Sequence, residues 1–549
     1  MPAVRFVLAP FLCLALLLLT PGVTSRALAA GSNVAVGQQI EQIILNGESN
    51  VGSIEDDERL IQVFTYYADR SFKPIWVRDD GLKGKGKVLL TFLENIENHG
   101  LREFKYRVDA IQDLVGDTHP RALAELEMLL TSAFIDLARD LTRGRVDPSE
   151  VTRNNDIELP REYGAAYLLD GAEQADDLQP YLAKLMPQDE RYHRLVEALA
   201  RYRAIRDAGG WQPIPPGDVL KPGGTDVRLP LLRELLTTVG DLKPADRPVG
   251  EVYDDVTVAA VKNFQMRHGL AEDGVIGPTT LEQMNKNVDD RIRQLEVNLE
   301  RRRWLDREPG GFYVFVNLAD QELKVMQGER TVHTARVVVG KTYHKTPVFT
   351  ENMTYLVMNP YWNVPSSIAN KEYLPKLKQD AGYLQRQGIR ALDSAGKEVN
   401  PYSVNWAAMS RVPYRLRQDT GDKNALGRIK FMFPNKYNVY IHDTPAKSLF
   451  EKDLRVYSHG CIRVQDPLTL AEVILKDEGW TRDRIDQQVN SGEQRIVKLK
   501  RKVPVYISYI TAFANKDGNV HFRRDIYGRD ELLAEQLLTG GRFAEADDH

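Results

Sequence analysis

The chain lacks the features that mark several broad classes of protein. Its charge is nearly balanced, with 73 Lys and Arg against 77 Asp and Glu, which gives no reason to expect nucleic acid as a partner. Beyond the first thirty residues no apolar run is long enough to cross a bilayer, so we expect no stable membrane span. The apolar and charged fractions, 42% and 27%, are those of ordinary globular proteins. At 549 residues the chain is too long for one hydrophobic core, and several domains are expected.

The one long apolar run, residues 6–19, follows Arg5 and precedes a small-residue segment at 27–30. A positive start, a short apolar stretch and an A-x-A site are the order of a secretory signal peptide, and cleavage is expected after Ala29. An uncleaved membrane anchor is the alternative, although a run of roughly 14 residues falls short of the 20 or so that a spanning helix needs. We therefore predict an exported, periplasmic protein.

Cysteine is nearly absent, with only Cys13 and Cys461 in the whole chain. Cys13 lies inside the predicted signal peptide, so the exported protein carries one thiol in a compartment where thiols usually pair. A lone cysteine is most often an inert core residue. The neighbours of Cys461 must therefore decide whether it is reactive.

Three regions with different sequence patterns follow the signal peptide. Residues 34–211 have apolar residues at helical spacing and predict a helical scaffold. A segment rich in Pro and Gly then marks a boundary, beyond which a compact unit with three helices is expected at 229–239, 255–268 and 279–285, the second capped by Asp255. From residue 312 onward, short β-branched and aromatic runs separated by Gly and Pro predict an antiparallel sandwich or barrel.

The chemistry-bearing residues come late in this β-rich region. His442 ends a predicted strand, and the sequence Ser458-His459-Gly460-Cys461-Ile462-Arg463 follows. Thiolate is the reactive form of cysteine, and a neighbouring imidazole promotes it. His442 is the better placed base because a strand end holds its side chain rigidly, whereas His459 is expected to shape the loop.

The loop around the cysteine offers further groups. Gly460 allows a turn that would aim its own N–H and that of Cys461 at one spot, as in an oxyanion hole. Arg463 is a fixed cation able to grip a substrate carboxylate. We add Ser458 as a loop-shaping residue, and Tyr440 and Trp362 as candidate substrate-binding residues. No metal ligand set and no cofactor are predicted.

Two motifs resemble known families. The order Thr257-x-x-Ala-Val-x-x-Phe-Gln, continuing through Gly269-Leu, Asp273-Gly and Ile276-Gly, resembles the peptidoglycan-binding domain 1 family, a three-helix module. His442 with the S-H-G-C-I-R run resembles the YkuD-type L,D-transpeptidase family, and the whole arrangement is similar to its large YcbB-like subgroup. One departure is Asp443, where many members have a small residue. Its side chain is a second candidate for orienting the imidazole, beside the backbone carbonyl that the family often uses.

The resemblance implies a two-step acyl transfer on peptidoglycan. Cys461 would attack a tetrapeptide stem, release D-alanine with a proton from His442, and pass the acyl group to an amine on a second stem, giving a 3–3 cross-link without a cofactor. It also implies carbapenem β-lactams as inhibitors, and cell-wall synthases are plausible partners. The same acyl-enzyme could serve an L,D-carboxypeptidase or a lipoprotein-anchoring transferase. Two rival hypotheses are a zinc site formed by the two histidines and Cys461, and a non-catalytic wall-binding scaffold.

The sequence thus predicts a multidomain α+β protein, with a helical scaffold, a small three-helix binding module, and a mostly antiparallel β catalytic domain that carries a lid insertion. The predicted bounds are 1–29 for the signal peptide, 30–211 for the scaffold, 212–288 for the peptidoglycan-binding-like module, 289–510 for the catalytic domain with its lid at about 368–428, and 511–549 for a C-terminal extension.

Overall fold

The computed structural model describes residues 31–46, 57–151, 155–157, 159–246, 249–305 and 310–539. The predicted signal peptide and Cys13 lie outside these residues. Within them, no helix is both long enough and apolar enough to cross a bilayer.

The N-terminal region is helical, as predicted. Its α-helices are Gly31–Leu45, Asp57–Asp69, Gly84–Glu94, Val108–Leu114, Pro120–Arg143, Pro148–Val151, Ala165–Gln174, Leu178–Leu185 and Glu190–Asp207, and one small hairpin pairs Val77–Arg78 with Gly81–Leu82. Pro120–Arg143 is buried along most of its length and forms the centre of the region's core. Glu127 of this helix is fully buried, and its carboxylate accepts the N–H groups of residues 75–77 and the Tyr67 hydroxyl. These bonds fasten the hairpin to the central helix.

The module contains the three expected helices, Leu229–Thr238, Asp255–Arg267 and Pro278–Met284, around an apolar core of its own. The predicted cap at Asp255 is wrong by one residue. Asp254 has extended backbone angles, and its carboxylate accepts the Thr257 N–H at 2.8 Å, so Asp254 is the N-cap and Asp255 lies in the first turn.

The module is followed by the helix Val288–Arg303, which packs on the N-terminal region. The same core takes in residues of a C-terminal hairpin, Ala512–Ala514 paired with Val520–Phe522. The last described element is the helix Arg529–Thr539. Chain segments from both ends of the molecule therefore share one core.

The β-rich region is a closed barrel. Its strands are Phe312–Asn317, Glu322–Gln327, Arg330–Gly340, Val348–Met358, Ile429–Met432, Ile441–His442, Ile462–Val464 and Arg495–Ser508. Ile429–Met432 pairs with both Ile441–His442 and Val348–Met358, and this second pairing closes the ring. Most neighbours are antiparallel, as predicted. Two short strands lie outside the ring: Asn155–Asp156 from the N-terminal region adds to Val348–Met358, and Val456–Ser458 pairs with Arg330–Gly340. The helices Pro467–Leu475 and Arg482–Asn490 pack against the barrel.

The segment predicted as a lid folds around a small core of its own. Its sheet has the order Glu398–Val399, Ile389–Leu392, Arg415–Gln418 and Trp362–Asn363. Its helical pieces are the α-helices Ser366–Ile368, Leu374–Gln379 and Tyr383–Arg386 and the π-helix Ala369–Tyr373. The sequence predicts only a long polar insertion here, because the apolar residues of this core are scattered among polar ones. The predicted lid was at about 368–428, whereas this folded segment comprises residues 362–418, and the name lid is used for it below.

Seven 3₁₀ turns complete the described structure: Ile96–His99, Glu103–Tyr106, Pro244–Asp246, Pro401–Ser403, Trp406–Ala408, Lys447–Glu451 and Lys476–Glu478. The predicted fold class, multidomain α+β with a helical N-terminal part and a β-rich C-terminal part, is confirmed. The domain bounds given above stay predictions.

Candidate active site

Strand register assembles the candidate site from three neighbouring strands of the barrel. Lys430 lies opposite His442 in an antiparallel pair, and His442 lies opposite Arg463 in a parallel pair. Side chains two residues apart in a strand share a face, so Tyr440 and Cys461 point to the same side as these three. The site is therefore one face of the barrel wall, built from sequence positions about thirty residues apart.

Cys461 is half-buried, directly after the loop and before the strand Ile462–Val464. Its thiol lies 3.9 Å from the Asn438 carbonyl oxygen. Burial raises the pKa of the thiol, while hydrogen bonds from the backbone N–H and the phenol of Tyr440 and the charges of Lys430 and Arg463 act in the opposite direction. The surroundings thus favour the neutral thiol at rest but hold several groups that would stabilise a thiolate.

His442 is buried and held by the backbone. Its Nδ1 is hydrogen-bonded to the carbonyl oxygen of the next residue, Asp443, which leaves Nε2 available to accept a proton. Burial, and next the positive charge of Arg463, lower the pKa of His442 to about 3. A neutral imidazole with one nitrogen fixed as donor is the form that a general base requires.

Asp443 supports this site through two different groups. Its carbonyl oxygen holds His442, whereas its buried carboxylate accepts the backbone N–H groups of Arg428 at 2.8 Å and Thr444 at 2.7 Å, together with the Lys447 ammonium. The backbone carbonyl therefore orients the imidazole, and the side chain braces the chain where it leaves the lid. Gly427 has φ +59°, and a Cβ there would overlap the Asp443 carboxylate.

The loop before Cys461 is held by its own hydroxyl. Ser458 Oγ donates to the Cys461 carbonyl oxygen at 2.5 Å and accepts the Gly460 N–H at 3.0 Å. Gly460 has φ +111°, a region that favours glycine. The Ser458 hydroxyl thus joins two backbone groups of this loop. Of the two N–H groups predicted to form an oxyanion hole, that of Gly460 is already engaged inside the loop.

A second layer behind the loop comes from distant parts of the chain. Thr346 Oγ1 donates to the Gly460 carbonyl at 3.0 Å and accepts the Gly340 N–H at 2.9 Å. The Tyr527 hydroxyl donates to the Gly340 carbonyl at 2.7 Å and lies 3.3 Å from the Thr346 nitrogen. A Cβ on Gly340 would come within 2.0 Å of the His344 carbonyl oxygen, so only glycine fits there. The C-terminal segment therefore fixes the loop that presents Cys461.

His459 points toward the lid. Its Nε2 lies 2.5 Å from a carboxylate oxygen of Glu372, a residue of the π-helix Ala369–Tyr373. Its ring also packs against His344, with centroids 5.2 Å apart. These contacts join His459 to the lid and to His344, and its role in shaping the loop stays a prediction.

Two predicted substrate-binding residues lie in different surroundings. Arg463 is half-buried on the site face, and its Nε is buried without a hydrogen-bond partner among the described residues. Trp362 lies in the lid sheet, where it packs with the lid core and sits 6.4 Å from the Tyr373 ring. The structure brings Tyr440, His442, Cys461 and Arg463 together and places Trp362 in the lid.

Sequence reasoning missed Lys430. It alternates with Ile429 and Phe431, which are fully buried, and such alternation normally places a lysine in solvent. Here its Nζ lies 3.7 Å from the centre of the Tyr440 ring. Burial lowers the pKa of Lys430, and the nearby Cys461 acts in the opposite direction. Its place beside the site could be read only from strand register.

The zinc hypothesis needs three ligands at one point. In the described part of the chain, no three His, Cys, Asp or Glu side chains lie close enough together to hold a metal ion.

Comparison with protein families assigns three segments of the chain. Residues 311–507 match the L,D-transpeptidase catalytic domain, YkuD. This segment is therefore similar to L,D-transpeptidase catalytic domains. Residues 226–284 match a domain described as "Putative peptidoglycan binding domain", and residues 62–199 match a scaffold domain. The segment that matches YkuD contains all five residues of the site face.

Individual proteins are similar over parts of the chain. A Haemophilus influenzae protein named "Putative L,D-transpeptidase" is 35% identical over 284 residues, which is 52% of this chain and 56% of that relative's length. The crystal structure of an L,D-transpeptidase from Xylanimonas cellulosilytica aligns over 54% of this chain and 99% of its own, with 15% identity and a TM-score of 0.17. One from Stackebrandtia nassauensis aligns over 54% and 97%, with 15% identity and a TM-score of 0.20.

Proposed function

We propose that this protein is a cysteine L,D-transpeptidase that forms 3–3 cross-links between peptidoglycan stem peptides, with Cys461 as nucleophile and His442 as base. The observation that carries the proposal is the shared face of Cys461, His442 and Arg463 inside the segment that matches the L,D-transpeptidase catalytic domain. A thiol and an imidazole with a free Nε2 are the two groups that acyl transfer needs.

The chemistry follows from these groups. His442 Nε2 takes the thiol proton as the sulfur attacks the carbonyl of the third stem residue. The bond to D-alanine then breaks, and the proton from His442 goes to the departing amine. The resulting thioester is attacked by a side-chain amine of another stem, which forms the new amide and returns the thiol. Arg463 grips a substrate carboxylate, with Tyr440 and Trp362 as further binding residues, and no metal or cofactor enters any step.

The environment of His442 supports this cycle. Because burial and Arg463 lower its pKa to about 3, the imidazole is neutral across the physiological range and can accept a proton. The bond from Nδ1 to the Asp443 carbonyl fixes the tautomer. The proton transfer is then expected to accompany attack on substrate, because burial raises the pKa of the Cys461 thiol.

Location and substrate follow from the rest of the chain. We propose export by the N-terminal signal peptide and action on the periplasmic cell wall, with residues 226–284 binding peptidoglycan. Carbapenems are expected to acylate Cys461, and cell-wall synthases are candidate partners. The same acyl-enzyme could be resolved by water or by a lipoprotein lysine, and the lid above the loop would select among these acceptors.

Intact-protein mass spectrometry with meropenem tests the nucleophile. The wild type should gain the mass of one drug molecule, and Cys461→Ala should gain none. Cys461→Ala should still bind isolated cell walls. Wall binding without any adduct on the wild type would instead support a non-catalytic scaffold.

Digestion of cell walls from a strain that expresses the protein tests the acceptor. Dimers with 3–3 links are expected, and they should be absent with Cys461→Ala. Free tripeptides alone would mean that water resolves the thioester, and lipoprotein attached to the third stem residue would mean an anchoring transferase.

A further inference from the structure

The site face carries two cations and no acidic partner for them. Lys430 and Arg463 are both half-buried, and neither forms an ion pair with any carboxylate in the described part of the chain. Some buried arginines of this protein are paired, such as Arg267 with Asp241 and Arg303 with Glu300, whereas Arg291 and Arg529 are buried over the rings of Phe522 and Tyr509. A cation removed from water without an anion is costly. A thiolate formed at Cys461 would place an anion on this same face.

Lys430 is placed for one particular anion. It lies on the strand Ile429–Met432, separated from the strand of Cys461 by Ile441–His442 alone. Its ammonium group lies 3.7 Å from the centre of the Tyr440 ring, and Tyr440 and Cys461 precede paired strands on the same face of the barrel. The aromatic ring holds the cation on the site face without neutralising it.

The base cannot supply this charge. In many cysteine enzymes an imidazolium stabilises the thiolate, but His442 is neutral at rest, since it is buried among cations with its Nδ1 tied to a carbonyl. A permanent cation on the neighbouring strand fills that role at every pH at which lysine is charged.

We propose that Lys430 is an electrostatic positioning residue of this site, whose ammonium group stabilises the Cys461 thiolate during acyl transfer. The proposal rests on Cys461 being the nucleophile. The charged and titratable groups that share this face with Cys461 are Lys430 on one strand, Tyr440 and His442 on the next, and Arg463 on the third. The lid contributes Glu372 to the rim, where it is paired with His459.

The test is the pH dependence of alkylation by iodoacetamide, a small uncharged reagent that reacts with thiolate. The rate is measured on the full chain for the wild type, Lys430→Met and Lys430→Arg, with Cys461→Ala supplying the background from Cys13. Loss of a cation near a thiolate should raise the midpoint by about one pH unit. Lys430→Met should therefore react about ten times more slowly than the wild type near neutral pH. Lys430→Arg keeps the charge and should stay near the wild type.

A wild-type midpoint in Lys430→Met would overturn the proposal. The proposal would also be overturned if Lys430→Met lowered activity only with donor peptides that end in a carboxylate and not with the matching carboxamides. Lys430 would then recognise substrate. If Lys430→Met fails to fold by circular dichroism, Lys430→Gln takes its place. Alkylation needs no transpeptidase activity, so failure of the meropenem adduct and failure of this proposal are separate results.

Discussion

The module and the lid flank the same barrel but are attached to it in different ways. The module is fastened through buried charges: the Arg267 guanidinium binds Asp241 and also donates to the Val520 carbonyl of the C-terminal hairpin at 2.6 Å. The Arg523 guanidinium returns a bond to the Arg267 carbonyl at 2.9 Å. Such contacts tolerate little movement.

The lid is fixed at its two ends and lightly held between them. Asn359, fully buried before the lid, donates to three carbonyls of the segment 488–493. After the lid, the Asp443 carboxylate holds Arg428. The lid's contact with the loop before Cys461, between Glu372 and His459, is partly exposed. The difference suggests a rigid platform on one side of the site and a cover that can move on the other.

Arg267→Met should produce the largest effect, because it leaves the Asp241 carboxylate buried without its partner. Breaking a buried ion pair from one side costs about 3–5 kcal/mol, and thermal and urea unfolding should both show it. Arg267→Met combined with Asp241→Asn is the matched control and should recover part of the loss. If Arg267→Met were as stable as the wild type, this buried ion pair would not be what fastens the module rigidly.

Acid should weaken the platform next. His268 is buried in a stack between Phe264 and Phe522, and burial, with Arg291 and Arg267 beside it, holds the pKa of His268 well below its usual value. A group whose folded pKa is depressed favours the neutral form. Its contribution is complete above the unfolded pKa of about 6.5 and is lost as the pH falls below it.

The melting temperature should therefore drop between about pH 6.5 and pH 4. Burial also lowers the pKa of His99 and of His521 to about 4, and both add to this drop because they charge in the unfolded chain before they charge in the folded one. His268→Phe keeps the aromatic stack. The unfolding free energy that this variant loses over the same pH range should be smaller than the wild-type loss by about 1–2 kcal/mol. An unchanged slope would show that the stacked imidazole does not charge during acid unfolding.

These contacts show what the sequence could and could not supply. His442, Ser458 and Cys461 were predictable because their relation is local: one strand end and one short loop with its own spacing. The fold class was equally accessible, since helical and alternating apolar patterns differ over many residues. Lys430 was not, because its place depends on which strands become neighbours, and no local pattern states that.

Long-range support was hidden for the same reason. Gly340, Thr346 and Tyr527 meet behind the loop although 187 residues separate the first from the last. The lid's own core was missed because few apolar residues supply it. The bounds of the C-terminal extension, 511–549, gave no sign that Tyr527 would bind the Gly340 carbonyl behind this loop.

Tyr527→Phe should show whether the C-terminal segment supports the loop before Cys461. It removes one hydroxyl that binds the Gly340 carbonyl and the Thr346 N–H, at a cost of about 1–2 kcal/mol. We expect slower acylation by meropenem with the same final stoichiometry, because the loop is displaced while the thiol remains. Tyr506→Phe, on the far side of the barrel beside Tyr313, is the control. Equal acylation rates in both variants would mean that the loop needs no support from the C-terminal segment.

Glu372→Gln should have the smallest effect on stability, because a partly exposed ion pair contributes at most about 1 kcal/mol. Its consequence should appear in the lid instead: faster hydrogen exchange of the segment 366–379, with the module unchanged. Glu398→Gln is the matched control, since Glu398 is also in the lid but pairs with Arg390, at 3.8 Å, rather than with the loop. Unfolding on the scale of Arg267→Met would mean that the lid is as firmly built in as the module. Unchanged exchange would mean that the pair does not hold the lid, and its attachment would then rest on Asn359 and Asp443 at its two ends.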